Sequence, residues 1–252
     1  MEIKENDIVL ENTRLYNLCS SIIALNARSM IEEKTPEELY KTACRGGQGS
    51  KIAVKRLKQI YPGHKMTNET IRDVIKDYYK TTSNTTYQRC GPIEFWDVSG
   101  VTDMGSLFRG LRDFNEDISR WDVSSVTTMY CMFHSCRVFN SDISEWDVSS
   151  VTDMNGMLIH CTKFNSDISG WNVSSVTDMK NIFYNCRGFN SDISKWNVSS
   201  VDRMSLMFFN CSNFNRDLSQ WDVSSVTNMM GMFNNCSPLK SEFEPEFLKK
   251  FI

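Results

Sequence analysis

Between Trp96 and Cys236, apolar and polar positions recur in one order every 25 residues, six times over. Trp96, Trp121, Trp146, Trp171, Trp196 and Trp221 mark the period and are all the tryptophans of the chain. The clearest copy runs Trp146-Asp-Val-Ser-Ser-Val-Thr-Asp-Met154, then Met157, Cys161 and Phe164-Asn-Ser-Asp-Ile-Ser169. A fixed period of this size marks a repeat array, in which a unit that cannot bury its apolar face alone buries it against its neighbours.

Within one unit, Met129, Met132, Phe133 and Cys136 fall at i, i+3, i+4 and i+7 and predict a helix of about two turns. Ser150 followed by Asp153 fits a capping box at the start of such a helix, with Thr152 as the rival N-cap. Phe139-Asn-Ser-Asp-Ile-Ser144 predicts a very short strand, and Val148 with Val151 a second extended piece. Stacked units would then place equivalent strands side by side in parallel, at roughly 4.8 Å per unit. The expected fold is an α/β repeat with short parallel strands and short helices, preceded by a small all-α domain. Its apolar ladders would be the tryptophans, the Phe114 series and the Ile118 series. Asn115, Asn140, Asn165, Asn190 and Asn215 would form a polar ladder that satisfies backbone groups at a buried turn.

The WDVSSVTDM and FNSDIS strings and the Met-Phe-x-x-Cys segments, such as Met132 to Cys136, resemble the BspA-like leucine-rich-repeat surface proteins. Within that family the chain is closest to the mycoplasma-type 25-residue repeat, met also in large DNA viruses and protists. The resemblance runs from Ile93 to about Leu239. It implies a leucine-rich-repeat-like solenoid used for adhesion or protein contacts, and it brings no catalytic residue with it.

Charge divides the chain where the repeats begin. Residues 1–90 carry a net charge of +4 and residues 91–252 a net charge of −7. The expected domains are a basic, roughly four-helix region over 1–90, the six-unit solenoid over 91–239 and a C-terminal capping tail over 240–252. The last of the four helices begins near Thr67 or Asn68 and shows an Ile71, Val74, Ile75, Tyr78 stripe. Either the helical domain or Gly91-Pro-Ile-Glu-Phe95 would seal the first repeat. Seven basic residues and no acidic one lie between Glu38 and Glu69. Lys51, Lys55 and Lys58 share a helical face, and with Arg56 they form the candidate surface for docking on an acidic protein partner. No DNA-reading pattern accompanies this charge, so nucleic acid is the weaker partner, with an anionic membrane behind it. Gly46-Gly-Gln-Gly-Ser-Lys51 lacks the spacing of a nucleotide loop.

Cys136, Cys161, Cys186, Cys211 and Cys236 share one repeat position, which Leu111 holds in the first unit. Leucine there argues for buried apolar packing, not for bridges or metal. Asp117, Asp142, Asp167, Asp192 and Asp217 read as turn caps, with calcium as the alternative. Asp97, Asp122, Asp147 and Asp222 exchange with Asn172 and Asn197, so acceptor geometry matters there more than charge. The three histidines do not recur in phase, and no nucleophile elbow, metal motif or nucleotide loop is present. The sequence therefore predicts no enzyme, no cofactor and no metal.

The N-terminus leads into no apolar signal core, no lipidation box precedes a cysteine and no stretch is apolar enough to span a bilayer. With free cysteines this predicts an intracellular protein, the alternative being a virion. The functional expectation is a non-enzymatic scaffold for protein–protein interaction, docked through the basic helical domain. Its alternatives are a minor shell component of a large DNA virus particle and an adhesion-type ligand-binding repeat protein.

Overall fold

The computed structural model describes residues 65–80 and 92–236. The chain divides into two compact units, Met1–Gly63 and His64–Ile252, and every described residue lies in the second.

The six repeats stack in register. One parallel bridge joins each unit to the next through Asp103, Thr128, Asp153, Asp178, Arg203 and Asn228. These bridges sit at the end of the extended piece that follows each tryptophan, not at the Phe-Asn-Ser-Asp-Ile-Ser string where the sequence puts a strand. Beside them the backbone amides of Thr127, Thr152 and Thr177 each donate to the carbonyl 25 residues earlier, at 2.8 to 2.9 Å. The hydroxyls of the same threonines reach the same carbonyls at 3.2 to 3.3 Å. Rings stack along the column: Phe139 on Phe164 at 5.8 Å and Trp171 on Trp196 at 6.3 Å, both pairs 4° from parallel. The core is one continuous cluster that runs through all six units.

The short helices expected over Met129–Cys136 and its equivalents do not form. Alternate amides there leave the local chain altogether: those of Met129, Cys131, Phe133 and Ser135 donate to Asp153, Asn155, Met157 and Ile159 of the next repeat. The amides between close tight turns, Met132 to Met129, His134 to Cys131 and Cys136 to Phe133. Two positions per repeat have positive φ. One row is Ser106, Cys131, Gly156, Asn181, Leu206 and Gly231, and the other is Gly110, Ser135, His160, Asn185, Asn210 and Asn235. Left-handed residues four apart cannot belong to an α-helix. The apolar i, i+3, i+4, i+7 pattern is satisfied nonetheless, because Met129, Met132, Phe133 and Cys136 are all buried. The predicted capping box is absent too: Asp153 Oδ1 accepts from the Asn155 amide ahead of it at 2.8 Å, and Thr152 is engaged with Thr127.

One regular α-helix is present among the described residues, α1, Asn68–Lys80. The sequence places it with the N-terminal domain, whereas the structure packs it on the first repeat, so that the division falls after Gly63 and not near Cys90. Thr67 caps it, its Oγ1 accepting from the Thr70 amide at 3.3 Å. Ile71, Val74 and Ile75 are buried against the column. Asn68 then does for the first repeat what a preceding repeat does for the others. Its Oδ1 accepts from the amides of Thr102 and Asp103 at 2.9 and 3.0 Å. The Met66 amide bonds Asp97 at 2.8 Å, and Arg72 pairs with Asp103 at 3.0 Å while donating to the Gly105 carbonyl at 2.6 Å. A 3₁₀ turn, Ile93–Phe95, supplies the rest of the seal. Of the seals expected from sequence, the Ile93–Phe95 segment contributes, and of the helical region α1 alone does so among the described residues. The C-terminal tail lies outside the described residues.

Candidate binding surface

The recurring tryptophans and cysteines face inward, and the recurring asparagines and aspartates, exposed or half-buried, are likewise used by the column itself. Each tryptophan from Trp121 to Trp221 donates its indole N–H to a carbonyl 28 residues earlier, at 2.9 to 3.2 Å. Each cysteine from Cys136 to Cys236 does the same with its thiol, at 2.8 to 3.1 Å. Burial pushes the thiol of Cys136 up to about 12 and those of Cys161 and Cys186 well above the ordinary cysteine value. Asn115, Asn140, Asn165 and Asn190 each accept, through Oδ1, the amide of the asparagine in the next unit at 2.7 to 3.1 Å. Asn215 Oδ1 ends this ladder, buried and without a hydrogen-bond partner among the described residues.

The aspartates expected to cap turns do so. Asp117, Asp142, Asp167, Asp192 and Asp217 accept from the amide two residues on, at 2.8 to 3.1 Å. These serine donors hold the carboxyls of Asp142, Asp167 and Asp192 below their ordinary value. Asn172 and Asn197 occupy the equivalent role at the other aspartate position, accepting from Ser174 and Ser199 at 3.2 Å. No group of metal-ligating side chains is assembled among the described residues, and no described helix is long and apolar enough to cross a membrane. Lys51, Lys55, Arg56 and Lys58, the docking candidates, lie outside the described residues.

What remains for recognition is the exterior, where the repeats differ from one another. One row reads Arg109, His134, Ile159, Tyr184, Phe209, and the next Gly110, Ser135, His160, Asn185, Asn210. Tyr184 and Phe209 stack at 4.7 Å, and His160 meets the Tyr184 edge at 5.6 Å. Beside these rows a cleft of about 350 Å³ is lined by Ser135, Arg137, His160, Thr162, Asn185 and Arg187. Sequence reasoning missed it, because its residues come from three units and none of them recurs in every copy. The signal available was the converse of periodicity: the residues flanking each cysteine change while the cysteine does not. A second cleft, of about 420 Å³, opens where α1 meets the first repeat, between Arg72, Lys76 and Tyr79 on the helix and Arg109 and Leu111 below.

Inward ladders, outward variation and a helical seal define a stacked 25-residue repeat protein. The chain belongs to the family described as "Mycoplasma protein of unknown function, DUF285", which matches over residues 76–187 and 160–247. That membership agrees with the mycoplasma-type repeat read from the sequence. No curated protein and no solved structure matches the chain.

Proposed function

We propose that the chain is a non-enzymatic interaction scaffold, a leucine-rich-repeat-like solenoid whose variable exterior grips a protein partner. The observation that carries this reading is the division of labour across each repeat. Invariant side chains spend their hydrogen bonds on the neighbouring unit, as Trp171 does on Ile143 and Cys186 on Leu158. The variable ones, among them Arg137, Tyr184, Arg187 and Phe209, lie at or near the surface. A chain organised in this way presents a long, rigid, editable surface, the form in which repeat proteins recognise partners. The basic stretch holding Lys51, Lys55, Arg56 and Lys58 is the proposed docking element, recognising an acidic protein surface.

The test is cross-linking with mass spectrometry on native material. Links from the variable rows and from Lys51, Lys55 and Lys58 to a common partner support the reading. Changing Lys51, Lys55 and Lys58 to Glu should abolish the docking links, and unchanged association would remove that part. Links to one abundant assembly protein at fixed stoichiometry would instead favour a structural shell component. Capture of surface glycans by the repeats would favour adhesion.

A further inference from the structure

The cleft beside the variable rows is lined by polar side chains and carries an unbalanced positive charge. Arg137 and Arg187, both exposed, stand two repeats apart on either side of Thr162. No carboxylate lines the cleft, and neither arginine has a salt bridge among the described residues, in contrast to Arg203 with Asp178 and Asp202. Two guanidinium groups that line one cleft without an acidic partner are free to engage an anion from solution.

The hydrogen bonds at the floor settle which atoms can donate. Arg187 Nε, which can only donate, bonds Asn185 Oδ1 at 3.1 Å, and Asn210 Nδ2 donates to the same oxygen. The Asn185 amide is therefore oriented with Nδ2 toward His160 Nδ1, 2.7 Å away. That nitrogen of His160 must accept, so the ring carries its proton on Nε2. Burial, then the charges of Arg137 and Arg187, keep the imidazole below its ordinary value and hold it in this neutral form. The Thr162 hydroxyl is committed to the Arg137 carbonyl at 3.1 Å and fixes the backbone between the two arginines. The cleft is thus lined by two guanidinium groups and by a neutral His160 whose remaining N–H is at Nε2, with the Asn185 side-chain oxygen already engaged.

We propose that this cleft binds a phosphate monoester, its dianion held between Arg137 and Arg187 with His160 Nε2–H as the third donor. Two guanidinium charges match a dianion and exceed what a carboxylate or a sulfate ester supplies. The volume exceeds that of a bare phosphate and leaves room for the group that carries it. The proposal deepens the interaction reading by naming the chemistry one partner presents, and it rests on that reading only for the identity of the carrier.

The experiment is calorimetric titration of the full chain with phenyl phosphate, phenyl sulfate, O-phosphoserine and glucose 6-phosphate. Phenyl phosphate is expected to bind and phenyl sulfate, its monoanionic analogue, to bind at least tenfold more weakly. Arg137→Gln and Arg187→Gln, both on the exterior, should each cost about tenfold or more in affinity, with the urea midpoint unchanged. Preference for O-phosphoserine over glucose 6-phosphate would place the ester on a protein, and the reverse on a sugar. Equal binding of the phenyl sulfate and phosphate, undiminished binding in the double Gln variant, or no binding of any phosphate ester would overturn the site. A failed titration would leave partner capture intact in the cross-linking experiment, so the two readings fail separately.

Discussion

Trp171 donates its indole N–H to the carbonyl oxygen of Ile143 at 3.0 Å, across 28 residues of chain and one repeat interface. Trp121, Trp146, Trp196 and Trp221 repeat the bond at the same offset. Position along the chain is thereby converted into position along the column, since one period plus three residues is what brings the donor under its acceptor. Replacing Trp171 with Phe keeps most of the buried ring but leaves the Ile143 carbonyl without its donor. A loss of about 2–3 kcal/mol is expected. Urea unfolding of the full chain measures it, and a change under about 0.5 kcal/mol would show that the bond is not structurally required.

Gly156 occupies a left-handed position at φ 64°, and a Cβ there would lie 2.8 Å from the Ile159 side chain and 3.1 Å from the Cys131 sulfur. Gly156→Ala should therefore destabilise the chain by about 1–2 kcal/mol, through backbone strain and crowding together. Gly170 has open space at the same construction and no positive φ. Gly170→Ala, as the matched control, should be near neutral in the same thermal melts.

The cysteine ladder predicts graded reactivity. Cys136, Cys161, Cys186 and Cys211 are buried and hydrogen-bonded through sulfur, while Cys236 is only half-buried. Burial disfavours the thiolate in each of the first four, and Cys236, the last rung of the ladder, is the one left partly open. Iodoacetamide at neutral pH should modify Cys236 first and the other four only after urea unfolding. Peptide mass spectrometry reads the order, and early labelling of Cys161 or Cys186 in the folded chain would contradict it.

Glu94 sits buried in the seal of the first repeat. Burial, and next the charge of Asp117, push its carboxyl up to about 7, with Arg120 offsetting part of the rise. The folded state therefore holds a proton that the unfolded state releases near the ordinary value of 4.5. Its contribution to stability is full below pH 4.5 and is lost as pH rises to about 7. Glu94→Gln should flatten that decline and raise stability at pH 8 by on the order of 2 kcal/mol. Denaturant midpoints at pH 5 and pH 8, for both chains, decide it.

The inward half of the structure was legible because ladder residues repeat in phase. The tryptophan spacing and the exchange of cysteine with Leu111 each predict a buried, stacked position, and Asn172 standing in for aspartate predicts a turn acceptor; the asparagine series forms its predicted ladder, but on exposed or half-buried positions and not at a buried turn. Helices were read into Met129–Cys136 because inward spacing at i, i+3, i+4 and i+7 does not distinguish an α-helix from tight turns whose alternate amides cross to the next unit. A finer signal was present: Asn185, Asn210 and Asn235 share a row with Gly110, the residue types that accept positive φ. The placement of α1 was not legible, because an amphipathic stripe such as Ile71, Val74, Ile75 announces burial and not the surface it is buried against. The cleft between Arg137 and Arg187 was invisible for a related reason, since periodicity is blind to residues that matter by being different.

The tryptophan and cysteine hydrogens all point toward the preceding unit, and this gives the column a grammar of inheritance. Duplicating or deleting one whole unit re-creates every cross-interface bond, whereas losing a single residue puts the wrong side chain under each later carbonyl. Column length in such a lineage would change in whole steps by in-frame genetic events. Each added copy would arrive already folded into place, with its outer residues free to diverge.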